Sequence, residues 1–144
     1  MRLQDKFKLG SYITGKIDQE FRWGLNDCNT FFIELHDKIY GTNDLQRVKN
    51  KYFDRNTANK FLRDLGQTPG QWLHFRGYRK IPELLNNGKF WQDGDVAIFQ
   101  HKVFASVYVY FDGAFWTVPE GQTMRGYHPD ALTKHKIQGW RKHG

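Results

Sequence analysis

The segment Phe21-Arg22-Trp23-Gly24-Leu25-Asn26-Asp27-Cys28 constrains this chain most, because it runs into an apolar helical pattern and carries the only cysteine. Cys28, Phe32, Leu35 and Ile39 fall at i, i+4, i+7 and i+11, one face of a helix. Asn26 or Asp27 can cap its start, and Gly41 follows the end of the pattern. A helix N-terminus presents unpaired N–H groups and a partial positive charge, both of which favour thiolate over thiol. The same periodicity turns the sulfur toward the core, where a free cysteine behaves as a small hydrophobe. Cys28 is therefore either a nucleophile or a packing residue.

The rest of the chain divides by character. Leu3, Phe7, Tyr12 and Ile13 predict a first helix over residues 3–15, weakened by Gly10 and Gly15. A third helix is expected from Thr57, as N-cap, through Phe61, Leu62 and Leu65 to a stop at Gly66. Gln67-Thr68-Pro69-Gly70 reads as a turn, Gly77 to Pro82 as irregular, and Glu83-Leu84-Leu85 as one helical turn. After Asn86 the pattern becomes that of strands: 95–99, a long one at 103–110, a hairpin turn at Asp112-Gly113 and a return at 115–118. Further short strands are expected at 122–127 and 137–141. Helices followed by an antiparallel meander make an α+β fold. With 144 residues it reads as one domain, helical to about residue 88 and sheet from about 89.

Composition narrows the function classes. Hydrophobic residues make up 39 % and charged residues 26 %, which excludes a disordered chain. One cysteine excludes an internal disulfide. Met1 to Phe7 opens no apolar run of signal-peptide length, and no stretch approaches the roughly 20 apolar residues of a membrane span. A cytoplasmic site of synthesis is expected. The 22 basic residues against 15 acids give a formal +7, dispersed among acids and aromatics from Arg47 to Arg63 and from Lys134 to Lys142. That charge suits a solvated surface, an anionic polymer or an acidic protein. No nucleic-acid recognition signature accompanies it. The cluster Trp72, Phe75, Tyr78 and Trp91 reads as core. No glycine-rich phosphate loop and no Cys/His set of zinc spacing occurs, and His135 with His143 is a weak pair, so neither cofactor nor metal is expected. Asp93 and Asp95 flank Gly94 and read as turn caps, not a catalytic pair.

Trp23-Gly24, then Asp27-Cys28 at a helix start, then Gly94-Asp95-Val96-Ala97-Ile98-Phe99 resembles the NlpC-type papain-like cysteine peptidases. Phe21 to Gly24, Asp27-Cys28, Thr30-Phe31 and Trp140-Arg141 together look like a small group of phage- and prophage-encoded relatives, whose genes lie among tail-tip genes. The resemblance implies N-terminal helices packed on a sheet, with Cys28 as nucleophile and Trp23, Gly24 and Asp27 along the substrate groove. Taken as residues alone, Trp23 and Gly24 read as a packing wedge and a tight turn.

The other positions of that chemistry are poorly filled. The general-base histidine is expected a few residues before the hairpin turn, where this chain has Ala105. The residue that would orient an imidazole falls at Thr117, a weak substitute, and an oxyanion-holding tyrosine is matched by Phe21. A positioned base and acid supply about 10² to 10⁴-fold in rate, and an alanine delivers no proton. His101 precedes Ala105 by four residues, about 13 Å along an extended strand. His128, before Pro129, could approach from a loop. His36 lies about 12 Å along the helix from Cys28, out of reach. The leading expectation is a phage virion protein of the tail tip or its assembly, on a degraded hydrolase fold, with other tail proteins as partners. The alternatives are an active cysteine hydrolase that cuts cell-wall peptides during host entry, with His101 or His128 as base, and a basic module that binds nucleic acid.

Overall fold

The structure, a computed structural model, describes residues 1–81, 90–100, 105–133 and 137–143. Four helices precede most of the sheet: α1 (Leu3–Lys16), α2 (Cys28–Tyr40), α3 (Arg55–Asp64) and α4 (Pro69–Phe75). The strands are β1 (Tyr78–Lys80), β2 (Val96–Gln100), β3 (Ala105–Phe111), β4 (Ala114–Thr117), β5 (Arg125–Tyr127) and β6 (Ile137–Lys142). A short α5 (Pro129–Thr133) separates the last two. The six strands form one antiparallel sheet in the order β1-β6-β2-β3-β4-β5. The fold is α+β, with N-terminal helices and a C-terminal antiparallel sheet. No helix among the described residues is long and apolar enough to cross a membrane.

The sheet is filled from both faces, and strand alternation decides which residue goes where. Val96, Ile98, Val107 and Val109 turn toward α1 and α2, where they meet Leu9, Ile13, Phe31, Phe32 and Leu35. Ala97, Phe115 and Ile137 turn the other way and are covered by Trp91 and by Leu132 of α5. Tyr12 ties the two long helices together, its hydroxyl donating to the Phe31 carbonyl at 3.0 Å. The β3–β4 hairpin closes at Asp112 (φ 51°) and Gly113 (φ 80°), the two positive φ values of the expected Asp-Gly turn.

Three local expectations are corrected. The cap of α3 is Asp54, whose carboxylate accepts from the Thr57 N–H at 2.7 Å while Thr57 answers at the N3 position of a capping box. Thr68-Pro69-Gly70 starts α4 instead of making a turn: Thr68 caps it, Gln71 closes a second capping box and Pro69 takes the first helical position. Residues 78–80 are not irregular, because they pair with β6 as the edge strand β1. The aromatic set also divides. Trp72 and Tyr78 pack in the helix-side core, Trp91 on the opposite face, and Phe75 is exposed. The helical turn expected at Glu83-Leu84-Leu85 lies outside the described residues.

Asp95, buried at the head of β2, accepts from Arg141 of β6 at 2.9 and 2.7 Å and from the Gln92 N–H at 2.8 Å. The Gly94-Asp95 and Trp140-Arg141 pairs, 46 residues apart, thus meet as one forked ion pair that locks β6 onto β2. Removing one partner of such a pair strands the other charge. Arg141→Met should therefore lower unfolding free energy by about 3 kcal/mol in urea titrations at neutral pH. Lys6→Ala, at an exposed 3.9 Å contact with Asp93, should change it by less than about 0.5 kcal/mol.

Candidate functional site at the start of helix α2

The turn that delivers Cys28 is built on one carboxylate. Asp27 is extended (φ −120°, ψ 179°) and 3 % exposed. One of its oxygens accepts from the N–H groups of Asn29 (3.0 Å) and Thr30 (2.9 Å), and the other from the Gly24 N–H (2.9 Å) and the Tyr52 hydroxyl (2.7 Å). Thr30 Oγ1 accepts from the Asp27 N–H in return, completing a capping box. Arg22 and Asn26 exchange main-chain hydrogen bonds at 3.0 and 2.8 Å, closing the loop before the helix. Gly24 sits inside that loop at φ 77°, and a Cβ there would stand 2.4 Å from the Tyr52 carbonyl oxygen. Glycine is required twice over, by backbone conformation and by the close approach of residues 50–52. Trp23 is half-buried and stands edge-on to Phe21, ring centroids 4.9 Å apart, and 6.4 Å from Tyr52.

Cys28 is the first residue of α2, and its sulfur faces the start of β3 at 3.9 Å from the Ala105 carbonyl oxygen. A carbonyl accepts an S–H and repels a thiolate. Burial pushes the thiol up to about 12, and the adjacent Asp27 charge adds to the rise. The N–H groups of Val107, Cys28 and Asn29 pull the other way and are outweighed. Desolvation outweighs the helix terminus here, so the thiol form is favoured at neutral pH.

Among the described residues, the other expected positions gather no proton relay around this sulfur. Ala105 brings a methyl group, and Phe21 packs its ring against the helix–sheet core. Thr117 is buried, and its hydroxyl donates to the Val107 carbonyl at 2.8 Å. Alternation along β4 puts it on the Phe115 side of the sheet, whereas Cys28 approaches from the α2 side. His128 is exposed; its Nδ1 accepts from the Asp130 N–H at 3.2 Å and lies 3.5 Å from the Asp130 carboxylate. His101 and His135 lie outside the described residues. Asp93 accepts from the Asp112 N–H at 3.0 Å, so it and Asp95 serve separate structural contacts.

The chain belongs to the DUF6950 family. That family's model, described as a domain of unknown function, matches residues 1–134. The match takes in the whole Asp27-Cys28 turn, α1 to α4 and strands β1 to β5, and ends before β6. No curated protein and no solved structure matches the chain.

Two features of this DUF6950 chain escaped the sequence. The first is a polar knot at the end of α2. His36, 2 % exposed, lies among the rings of Phe32, Tyr40, Trp72 and Tyr78, with Nδ1 3.0 Å from Thr42 Oγ1. Burial pushes its pKa down to about 4. His36, Asp37 and Asp44 bring one donor atom each within 4.8 Å of one another, close enough to share a cation. The carboxylates are already engaged, however: Arg76 forks onto Asp44, and Asp37 accepts from Thr42 Oγ1 and from the N–H groups of Asp44 and Leu45. Arg76 is the cation of this knot. The second feature is a pair of concave surfaces flanking the turn. One, of about 510 Å³, runs from Asn29, Ala105 and Val107 to beneath α3 and α4. The other, of about 460 Å³, is bounded by Trp23, Tyr52, Phe53 and Glu120. Both join residues distant in sequence, which single-chain periodicity does not connect.

Gly24→Ala should destabilise the protein by at least about 3 kcal/mol, and Asp27→Ala by about 2 to 4 kcal/mol through loss of the cap and an orphaned Tyr52 hydroxyl, both read by thermal or urea unfolding. His36 gives a pH signature. Its folded pKa is below the unfolded value of 6.5, so its contribution is complete above about pH 6.5 and is lost as pH falls toward 4. Urea titrations between those values should show that loss, up to roughly 3 kcal/mol, and His36→Gln should flatten it.

Proposed function

We propose that this protein is a non-catalytic structural or assembly component of a phage tail tip, built on an NlpC-type papain-like frame whose hydrolase centre has been converted to packing. The observation that carries this reading is the state of Cys28: a half-buried thiol held against a main-chain carbonyl, with its pKa pushed up to about 12. A cysteine peptidase needs the opposite, a thiolate stabilised by a neighbouring cation or imidazolium. The frame is supported by the capped helix start that sets the sulfur against the first residue of β3. Phe21, Ala105 and Thr117 supply apolar contact or an internal hydrogen bond where the resemblance calls for proton chemistry. The tail-tip context rests on the sequence resemblance, and the formal +7 with exposed Phe7, Phe53 and Phe75 is compatible with packing against other virion proteins.

The test is the pH dependence of Cys28 alkylation in the native protein. Labelling should be slow below pH 9 and become fast on unfolding, with no turnover of cell-wall peptides. A labelling pKa well below about 8.5, joined to muropeptide cleavage that disappears in Cys28→Ala, would instead establish the hydrolase. Recovery of the chain at fixed stoichiometry in purified particles tests the virion assignment.

A further inference from the structure

We propose that the cavity beneath α3 and α4 is a binding site for an anionic amphiphile with one aliphatic chain, of which a medium- or long-chain carboxylate is the simplest case. Its volume of about 510 Å³ is within the range of roughly 300–1,000 Å³ typical of ligand pockets. The floor is apolar and comes from three elements: Phe32 and Ile33 of α2, Ile98 of β2 and Val107 of β3. Leu62 of α3 and Leu73 of α4 close it from above. Only Ala58 of α3 is buried, so this helix spreads its apolar face over an open volume instead of pressing it onto the sheet. Phe32, Ile98, Val107 and Leu73 are anchored in the helix-side core, whereas half-buried Ile33 and Leu62 line the open volume, where a hydrocarbon chain would add dispersion contacts.

The rim supplies the headgroup chemistry. Arg47, Arg63 and Arg76 line the cavity against a single lining acid, Asp44. Arg76 already forks onto Asp44, so those two charges cancel. Arg47 and Arg63 are exposed and make no ion pair among the described residues. Two guanidinium groups at the mouth of an aliphatic cavity match a carboxylate on a hydrocarbon tail, because the planar fork binds both oxygens. A neutral chain would leave them unused, and a cationic one would be repelled. The site does not use the Cys28 thiol, so it stands whether or not the non-catalytic reading above does.

Calorimetric titration of the full chain with dodecanoate and with dodecyltrimethylammonium, both below their micelle concentrations, decides the matter. Dodecanoate should bind saturably at one site per chain, and the cation should not. Arg47→Gln with Arg63→Gln should weaken dodecanoate by roughly tenfold or more per arginine. Arg79→Gln with Lys80→Gln, which removes the same charge from the edge strand β1, should leave its affinity unchanged. Leu62→Trp, which fills the cavity from α3, should abolish binding while the Arg47/Arg63 pair provides a readout that does not alter packing. Absence of saturable dodecanoate binding, equal binding of the cation, or equal losses in the two double variants would each overturn the assignment.

Discussion

The Asp27 carboxylate is the joint on which the front of this molecule depends. Four donors converge on it from three separate segments: the loop at Gly24, the first turn of α2 at Asn29 and Thr30, and the Tyr52 hydroxyl from the segment after α2. One buried anion thereby sets the entry angle of the helix, fixes the Trp23-Gly24 loop beneath residues 50–52 and holds Cys28 against β3. A neutral side chain of the same size could cap the helix but would gather fewer of those donors, since only a carboxylate has acceptor sites for all four.

The same charge explains why a helix start with every outward mark of a nucleophile cradle holds a protonated thiol. Partial charges at a helix N-terminus contribute modestly, typically about 0.3–1 kcal/mol at exposed sites. Burial of an anion beside an existing carboxylate costs more than that and acts in the opposite direction. Cys28 has no compensating cation or imidazole among the described residues, and its sulfur stands 3.9 Å from the Ala105 carbonyl oxygen. The balance is set by what surrounds the helix end rather than by the helix.

How far the sequence could be read follows from the range of the interactions involved. The long helices, the Asp112-Gly113 turn and strands β2 to β4 announce themselves within a few residues, by period and by turn chemistry. The start of α3 was misplaced because Asp54 and Thr57 are the two halves of a capping box, and either half looks like a cap. Gln67-Thr68-Pro69-Gly70 reads as a turn, although Thr68 and Gln71 carry the signal for α4. Nothing local marks β1, whose three residues become a strand only by pairing with β6. At the site, Asp27 as cap was legible, but its bond to Tyr52 joins residues 25 apart and was not. Trp140-Arg141 and Gly94-Asp95 were visible as separate motifs, and only the sheet order makes them one ion pair.

These constraints bear on where function can reside in a fold of this kind. Around Cys28 three polar groups are consumed internally: Asp27 by four donors, Thr117 by Val107 and Thr30 by the helix cap. In the knot behind it Asp37 and Asp44 are satisfied by main-chain N–H groups and Arg76, while His36 Nε2 is buried with no hydrogen-bond partner among the described residues. Beside them lie the apolar cavity with two arginines that make no ion pair among the described residues, and the exposed rings of Phe53 and Phe75 at the two concave surfaces. On the reading proposed above, recognition would rest on shape and surface charge, and the Asp27-Cys28 turn lies between the two surfaces, Asn29 lining one and Trp23 the other.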